Sequence, residues 1–292
     1  MKIVCLVGGG AKNIYTAGMV KYLHEIDYVP DVVLAASGGG LTAALWAQGD
    51  IALLEKLWLG IRNKDVRQFK PWMAFTRAAC VFDFAPLRQT LKKHIDLQKL
   101  KKSPFDLFLA LTSLHDGSAQ RFNLKTMVNQ DAVISSLMAS ASIPGFVSPI
   151  NDFVDGGCAD DQGILAALRM LGASMRNRRF EGFCPAIEYK IPHDTDEDGV
   201  LIPHEITVLH PGTFHDKSKP CNALEASENG IALLENANYL LQKSLVPDGI
   251  LFREIFPSES KPISVFDFEY RGYERAALIQ DGFEAAKKVF TL

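Results

Sequence analysis

Short runs of consecutive apolar residues, each closed by glycine or a polar turn, alternate with stretches where apolar residues recur every three or four positions. That rhythm predicts strands alternating with helices. The opening KIVCLV reads as a buried strand ended by Gly8-Gly9-Gly10. A helix follows, with Tyr15, Met19, Tyr22, Leu23 and Ile26 on one face. Pro30 leads into VVLAA, a second β-branched strand, which breaks at Ser37-Gly38-Gly39-Gly40 before Leu41–Gln48 resumes as helix. Strand, helix, strand, helix in fewer than 50 residues predicts a parallel sheet covered by helices.

Further along, Pro86 marks a helix start, with Leu87, Leu91 and Ile95 as its apolar stripe. FDLFLALTS and AQRFNL flank Asp116-Gly117, the signature of a hairpin. Residues 131–142 read as a small-residue helix stopped by Pro144-Gly145. A turn at Asn151-Asp152 then feeds FVDGG, and ILAALRML is helical as far as Gly172. The stretch 176–205 looks like an irregular insertion, with a basic cluster (Arg176, Arg178, Arg179) and an acidic run from Asp194 to Asp198. After it come a strand at ITVLH, a long helix over 222–243, a last strand at ISVFDF and a last helix over 273–290. Without repeats or linkers, the expectation is one domain over 1–292. Its fold would be a three-layer α/β/α sandwich around a mostly parallel central sheet.

Composition narrows the function. Hydrophobic residues make up 48% and charged residues 22%, which suits a large core and excludes a disordered chain. A net charge of −3 argues against a nucleic-acid partner. Five widely spaced cysteines (Cys5, Cys80, Cys158, Cys184, Cys221) contain no C-x-x-C pair, and read as small buried hydrophobes in a reducing compartment. The apolar run Ile3–Val7 is too short for a signal-peptide core, and no later run would span a bilayer. The expectation is a cytoplasmic protein, or one that touches a membrane surface peripherally.

The chemistry gathers at two turns. Gly8-Gly9-Gly10 lies between a strand and a helix, where glycine lets backbone amides approach a ligand and the helix N-terminus favours negative charge. Ser37 lies at the next strand-to-helix turn with three glycines behind it, as in a nucleophile elbow. Consecutive βα turns of one parallel sheet lie on the same edge, so the amides of Gly8, Gly9, Gly10 and Gly38 are placed to converge near Ser37. A serine hydroxyl needs a base. Asp155 is the candidate, at a strand end tightened by Gly156-Gly157.

These motifs together resemble the patatin-like phospholipases. GGGAKNIYTAGMVKYL is similar to the family's glycine-rich opening, with Lys12 at the position of its basic residue. VVLAASGGGLTAAL, with Ser37 followed by Gly38 and Gly39, resembles its nucleophile elbow, and ASASIPGFVSPI followed by FVDGG its approach to the catalytic Asp. The resemblance implies a Ser37–Asp155 dyad acting on glycerolipid esters through an acyl-enzyme intermediate. Gly9, Gly10 and Gly38 would form the oxyanion hole, and no cofactor or calcium would take part in the chemistry. The partner implied is a lipid substrate, met in transient contact with a membrane surface. Four positions depart from the family pattern. Ala35 replaces the first glycine of G-x-S-x-G, Asn13 the last glycine of G-x-G-x-x-G, and Asp161 and Gly163 stand where Asn and Pro are common. Asn13 suits a left-handed backbone, and the last two would change how the Asp155 loop is braced.

Other readings of the same residues stay open. Ser37, Asp155 and His210 occur in the order of an α/β-hydrolase triad. Gly8–Gly10 resembles a phosphate loop, although the second strand ends in Ser37 and not in an acidic ribose ligand. A non-catalytic lipid-binding module is a further alternative. Asp194, Asp196, Asp198, Gly199 and Glu205 match the spacing of an EF-hand loop, but Pro192 and Pro203 interrupt its flanks, so a solvated acidic loop competes with a calcium site. Finally, Phe69, Trp72, Met73, Phe75, Phe82 and Phe84 are interleaved with Lys64, Arg67, Lys70 and Arg77. That mixture suits either an anionic lipid boundary or a cap over the core.

Overall fold

The first strand, β1 (Lys2–Leu6), sends Val4 and Leu6 into one apolar core and Ile3 and Cys5 into another. Successive side chains of a strand point to opposite faces. The second strand, β2 (Val32–Ala35), divides likewise, with Val33 and Ala35 on one side and Val32 and Leu34 on the other. A sheet buried on both faces explains why both runs are continuously apolar. A computed structural model of the chain describes residues 1–76, 80–172, 174–178, 186–190, 194–195, 201–212, 223–258 and 261–291.

In chain order the elements used below are β1, α1 (Asn13–Glu25), β2, α2 (Ser37–Ala47), α3 (Ile51–Gly60), α4 (Ala85–His94), β3 (Asp106–Ser113), β4 (Ala119–Asn123) and α5 (Gln130–Ser140). They continue with β5 (Phe153–Asp155), α6 (Ile164–Met170), β6 (Glu205–Leu209), α7 (Ala223–Lys243), β7 (Leu251–Ile255) and α8 (Arg275–Phe290). The main sheet has seven strands in the order β7-β6-β1-β2-β3-β4, with β5 also on β3. Pairs from β7 to β3 are parallel, whereas β4 and β5 pair antiparallel with β3. Helices α1 to α5 and α8 cover one face. On the other face α6 and Tyr239 of α7 pack over Ile206 and Val208. The three-layer, mostly parallel α/β architecture expected from the sequence is therefore present.

Register on β3 places the site. β2 ends with Ala35 opposite Leu109, and β5 ends with Asp155 opposite Leu111. β4 occupies the other edge of β3 across Leu111 and Thr112, so β5 continues the edge that β2 leaves. β5 runs back towards β2, which brings the end of β5 to the turn at Ser37.

Several expectations need correction. ISVFDF is not a strand: residues 263–268 form turns whose Ile263, Phe266 and Phe268 are buried. The strand is β7, LFREI, whose polar positions are paired at the sheet edge, Arg253 with Glu205 and Glu254 with Lys243. Within the supposed irregular insertion, Ser174–Arg178 pairs antiparallel with Ala186–Lys190, and Asp194–Thr195 with Leu201–Ile202. Ile26 falls just after α1 and is exposed. Cys158 is exposed, while Cys5 and Cys80 are buried. The helix α3 and its buried Leu54 and Trp58 were not anticipated.

Candidate active site

Ser37 occupies the first position of α2 with φ 49°, a left-handed backbone for a non-glycine residue. Such strain aims the side chain out of the turn, as a nucleophile elbow requires. The residue before it is extended, so the chain reverses within one peptide unit. Two contacts hold this turn. The Ser37 amide donates to Ser140 Oγ at 2.9 Å, and Ser140 Oγ donates to the Ala110 carbonyl on β3 at 2.7 Å. Ser140, fully buried at the end of α5, carries no local motif and was missed from the sequence.

The two glycine turns touch. A Cβ on Gly38 would lie 2.8 Å from the Gly10 carbonyl oxygen and 2.9 Å from the Gly10 nitrogen, so only glycine fits there. Among the described residues the amides of Gly9, Gly10 and Gly38 have no acceptor. Gly8 is different: its amide donates to Asp161 Oδ1 at 2.9 Å and is not free for a ligand. That corrects its assignment to the oxyanion group. Asn13 needs no left-handed backbone either. It has φ −66°, and its Nδ2 donates to the Gly10 carbonyl at 3.4 Å. Lys12 is half-buried beside this turn, and its charge acts on Glu235 of α7.

Asp155 is buried. Its amide donates to the Ser142 carbonyl, and Thr112 Oγ1 donates to its carbonyl, so its backbone is fixed from both sides. Oδ1 accepts the Gly157 amide at 2.8 Å, while buried Oδ2 makes no close hydrogen bond among the described residues. Burial pushes the carboxyl up to about 7, and the Ser37 hydroxyl and the Gly157 amide draw it back. The loop after Asp155 has its own braces. Asp160 pairs with Arg121 and accepts the Gly163 amide and Gln242 Nε2. Gly163 takes φ 70°, a conformation closed to the proline common in the resemblance.

His210 does not join this group. Its buried ring stacks on Phe256 with centroids 4.0 Å apart and meets the edge of Tyr239, and burial lowers it to about 3. The EF-hand-like spacing falls mostly outside the described residues. Its last position, Glu205, is buried in β6, where it accepts from Tyr28 at 2.6 Å and pairs with Arg253. The aromatic-basic segment divides. Phe69, Trp72 and Phe75 are 66, 63 and 93% exposed, whereas Phe82 and Phe84 belong to the core. Arg67 lies over the Phe82 ring, Lys70 pairs with Asp83, and Arg77 is outside the described residues.

A mixed α/β fold with a serine at a strained strand-to-helix turn defines the class of the site. Residues 4–168 match the patatin-like phospholipase family model, more than half of the chain, and the chain belongs to that family. It is 28% identical over 159 residues to a patatin-like phospholipase domain-containing protein of Chaetomium globosum, covering 50% of this chain and 18% of that one. It is 29% identical over 173 residues to triacylglycerol lipase ptl2 of Schizosaccharomyces pombe, covering 50% and 25%. The chain thus matches a quarter or less of the length of these relatives. Among solved structures it is similar to VipD of Legionella pneumophila, with TM-score 0.45, 16% identity, and 99% of this chain and 66% of that one covered. It is also similar to the type III effector ExoU, with TM-score 0.41, 13% identity, and 99% and 52% covered. Among the described residues no helix is long and apolar enough to cross a membrane.

Proposed function

We propose that the chain hydrolyses ester-linked acyl chains of glycerophospholipids or related lipids, with Ser37 as nucleophile and Asp155 as general base. The observation that carries this reading is the strained Ser37 turn beside a buried carboxylate on which the Ser37 hydroxyl acts. A base held near 7 suits proton transfer around neutral pH. Asp155 takes the hydroxyl proton as Ser37 Oγ bonds to the ester carbonyl carbon, and the carbonyl oxygen becomes an oxyanion. The amides of Gly9, Gly10 and Gly38 stabilise that charge. Collapse breaks the ester C–O bond, and the leaving alcohol receives the proton from Asp155. Asp155 then takes a proton from water, whose oxygen attacks the acyl-serine. The fatty acid leaves and Ser37 regains its proton.

The surroundings favour an acyl chain. A cavity at Ser37 and Gly38 is walled by Leu41, Val66, Leu87 and Phe268. The same four residues border a second, apolar cavity that runs past Leu45 and Trp58. Ser37, Leu41 and Leu45 recur every four residues on α2, so one helix face leads from the hydroxyl about 12 Å into this space. The relatives' names include both a phospholipase domain and a triacylglycerol lipase, and the acyl ester is common to both substrates. Exposed Phe69, Trp72 and Phe75 supply an apolar face for adsorption to lipid.

The test is ester hydrolysis by Ser37→Ala, Asp155→Asn and His210→Ala, each checked for folding, with fluorophosphonate labelling of the wild type. Labelling at Ser37 is expected, with losses of several orders of magnitude for the first two variants and retained activity for His210→Ala. An inactive His210→Ala beside an active Asp155→Asn would sink the dyad reading.

A further inference from the structure

A second carboxylate stands beside Ser37 and Asp155 that the proposed chemistry does not use. Asp161 is buried, its Oδ1 accepts the Gly8 amide at 2.9 Å, and its Oδ2 accepts from Gln162 Nε2 at 3.3 Å. A Cβ placed on Gly8 would sit 2.5 Å from Asp161 Oδ1 and 3.0 Å from Ser37 Cβ. Gly8 therefore lies wedged between the two side chains, and the next two amides of its turn, those of Gly9 and Gly10, have no acceptor among the described residues. On the other side, a Cβ on Gly157 would be 3.1 Å from Asp155 Oδ1 and equally 3.1 Å from Asp161 Oδ1. The two carboxylates flank one glycine at about 6 Å or less, within the range where like charges act on each other's protonation.

We propose that Asp161 is a positioning residue: it holds the Gly8–Gly10 turn over Ser37 through the Gly8 amide, and its charge, facing Asp155 across Gly157, places the acid limb of the activity profile. An asparagine would supply the same acceptor to Gly8 without the charge, so the charge and the anchor can be separated by substitution.

The other charges around Asp161 do not cancel this effect. Asp160, its chain neighbour, is matched by Arg121 on β4. Glu235 of α7 adds a third carboxyl, raised well above its ordinary value by burial and by both aspartates. Lys12 acts against Glu235, and the Cys158 thiol, partly desolvated and facing these carboxyls, is pushed up to about 12. Asp161 itself is raised by burial first and by Asp155 second. Three carboxyls and one lysine crowd the turn, so removing one negative charge eases ionisation of the others.

The inference rests on the Ser37–Asp155 reading, and its experiment has two readouts so that each can fail alone. The first is kcat/KM against pH for a soluble ester with wild type, Asp161→Asn and Asp161→Ala. Asp161→Asn is expected to move the acid limb down by about one pH unit, the scale of a nearby like charge. Asp161→Ala should move it similarly but lower the high-pH kcat at least about tenfold below that of Asp161→Asn, since Gly8 loses its acceptor. The second readout is the ¹³C carboxyl titration of Asp155, which needs no turnover, and its midpoint should fall in Asp161→Asn. An unmoved limb and an unmoved Asp155 midpoint would overturn the charge effect, even if Ser37→Ala is inactive as expected. Equal high-pH kcat in the Asn and Ala variants would overturn the anchoring role. If Asp161→Ala does not fold, Asp161→Ser supplies the weakened anchor. If the wild type hydrolyses no ester, the functional reading fails, and the Asp155 titration still decides the interaction between the two carboxyls.

Discussion

Removing the Ser140 hydroxyl should disable Ser37 without touching it. Ser140 Oγ is the acceptor of the Ser37 amide and donates to the Ala110 carbonyl, and its residue is fully buried. Ser140→Ala deletes both bonds in a place water does not reach. A typical intramolecular hydrogen bond contributes about 1 kcal/mol net, and a buried donor left unpaired costs about 1–3 kcal/mol. The Ala110 carbonyl lies between Leu109, the last residue paired with β2, and Leu111, the first paired with β5, so it loses its donor as the Ser37 amide loses its acceptor. The expected destabilisation is about 2–3 kcal/mol, or a fall of roughly 3–5 °C in Tm for a chain of this size. The strained φ of Ser37 should relax once its amide is released, so kcat should drop with little change in KM. Ser142→Ala is the control. Ser142 is equally buried, but its hydroxyl donates only to the Met138 carbonyl of its own helical turn, and its loss should cost below about 1 kcal/mol. Urea unfolding and steady-state hydrolysis measured on the same preparations decide the matter. A Ser140→Ala protein within about 0.5 kcal/mol of wild type and fully active, or a Ser142→Ala protein equally impaired, would refute the reasoning.

Three further outcomes follow from the same geometry. Asp155 and Asp161 have carboxyls raised in the folded state, so the native protein binds more protons than the unfolded chain between about pH 4 and 7, and stability from these groups falls as pH rises through that window. Asp161→Asn should therefore unfold at a higher temperature than wild type at pH 8, with the difference vanishing near pH 4; a difference independent of pH would contradict the buried-charge account. Gly38→Ala would set a methyl 2.6 Å from Asn13 Nδ2 and under 3 Å from Gly10, so fluorophosphonate labelling of Ser37 should be lost and stability reduced by about 1–3 kcal/mol. Trp72→Ala combined with Phe75→Ala should weaken vesicle co-sedimentation and hydrolysis of vesicular lipid while sparing a short soluble ester, because both rings are exposed. Equal losses on the two substrates would mean the rings support the fold.

Local backbone chemistry was legible along the chain. The apolar runs at Ile3–Val7 and Val32–Ala36, each closed by glycines, determined two parallel strands and the turns that follow them, because glycine conformation and apolar continuity are written within a few residues. Asp116-Gly117 determined the β3–β4 hairpin on the same grounds. The relation of Ser37 to Asp155 needed the fold. Only the register of β3 shows that β5 takes up the edge where β2 stops. Ser140, 103 residues from Ser37, and Asp161, 153 residues from Gly8, have no local signature, since a buried side chain acquires its partner from the packing of distant elements. Edge strand β7 was passed over because charges paired across the sheet look solvated in one dimension, and ISVFDF was misread because its aromatics fill the core from turns. Periodicity reports the burial of a segment, and tertiary structure alone decides what each buried polar atom faces.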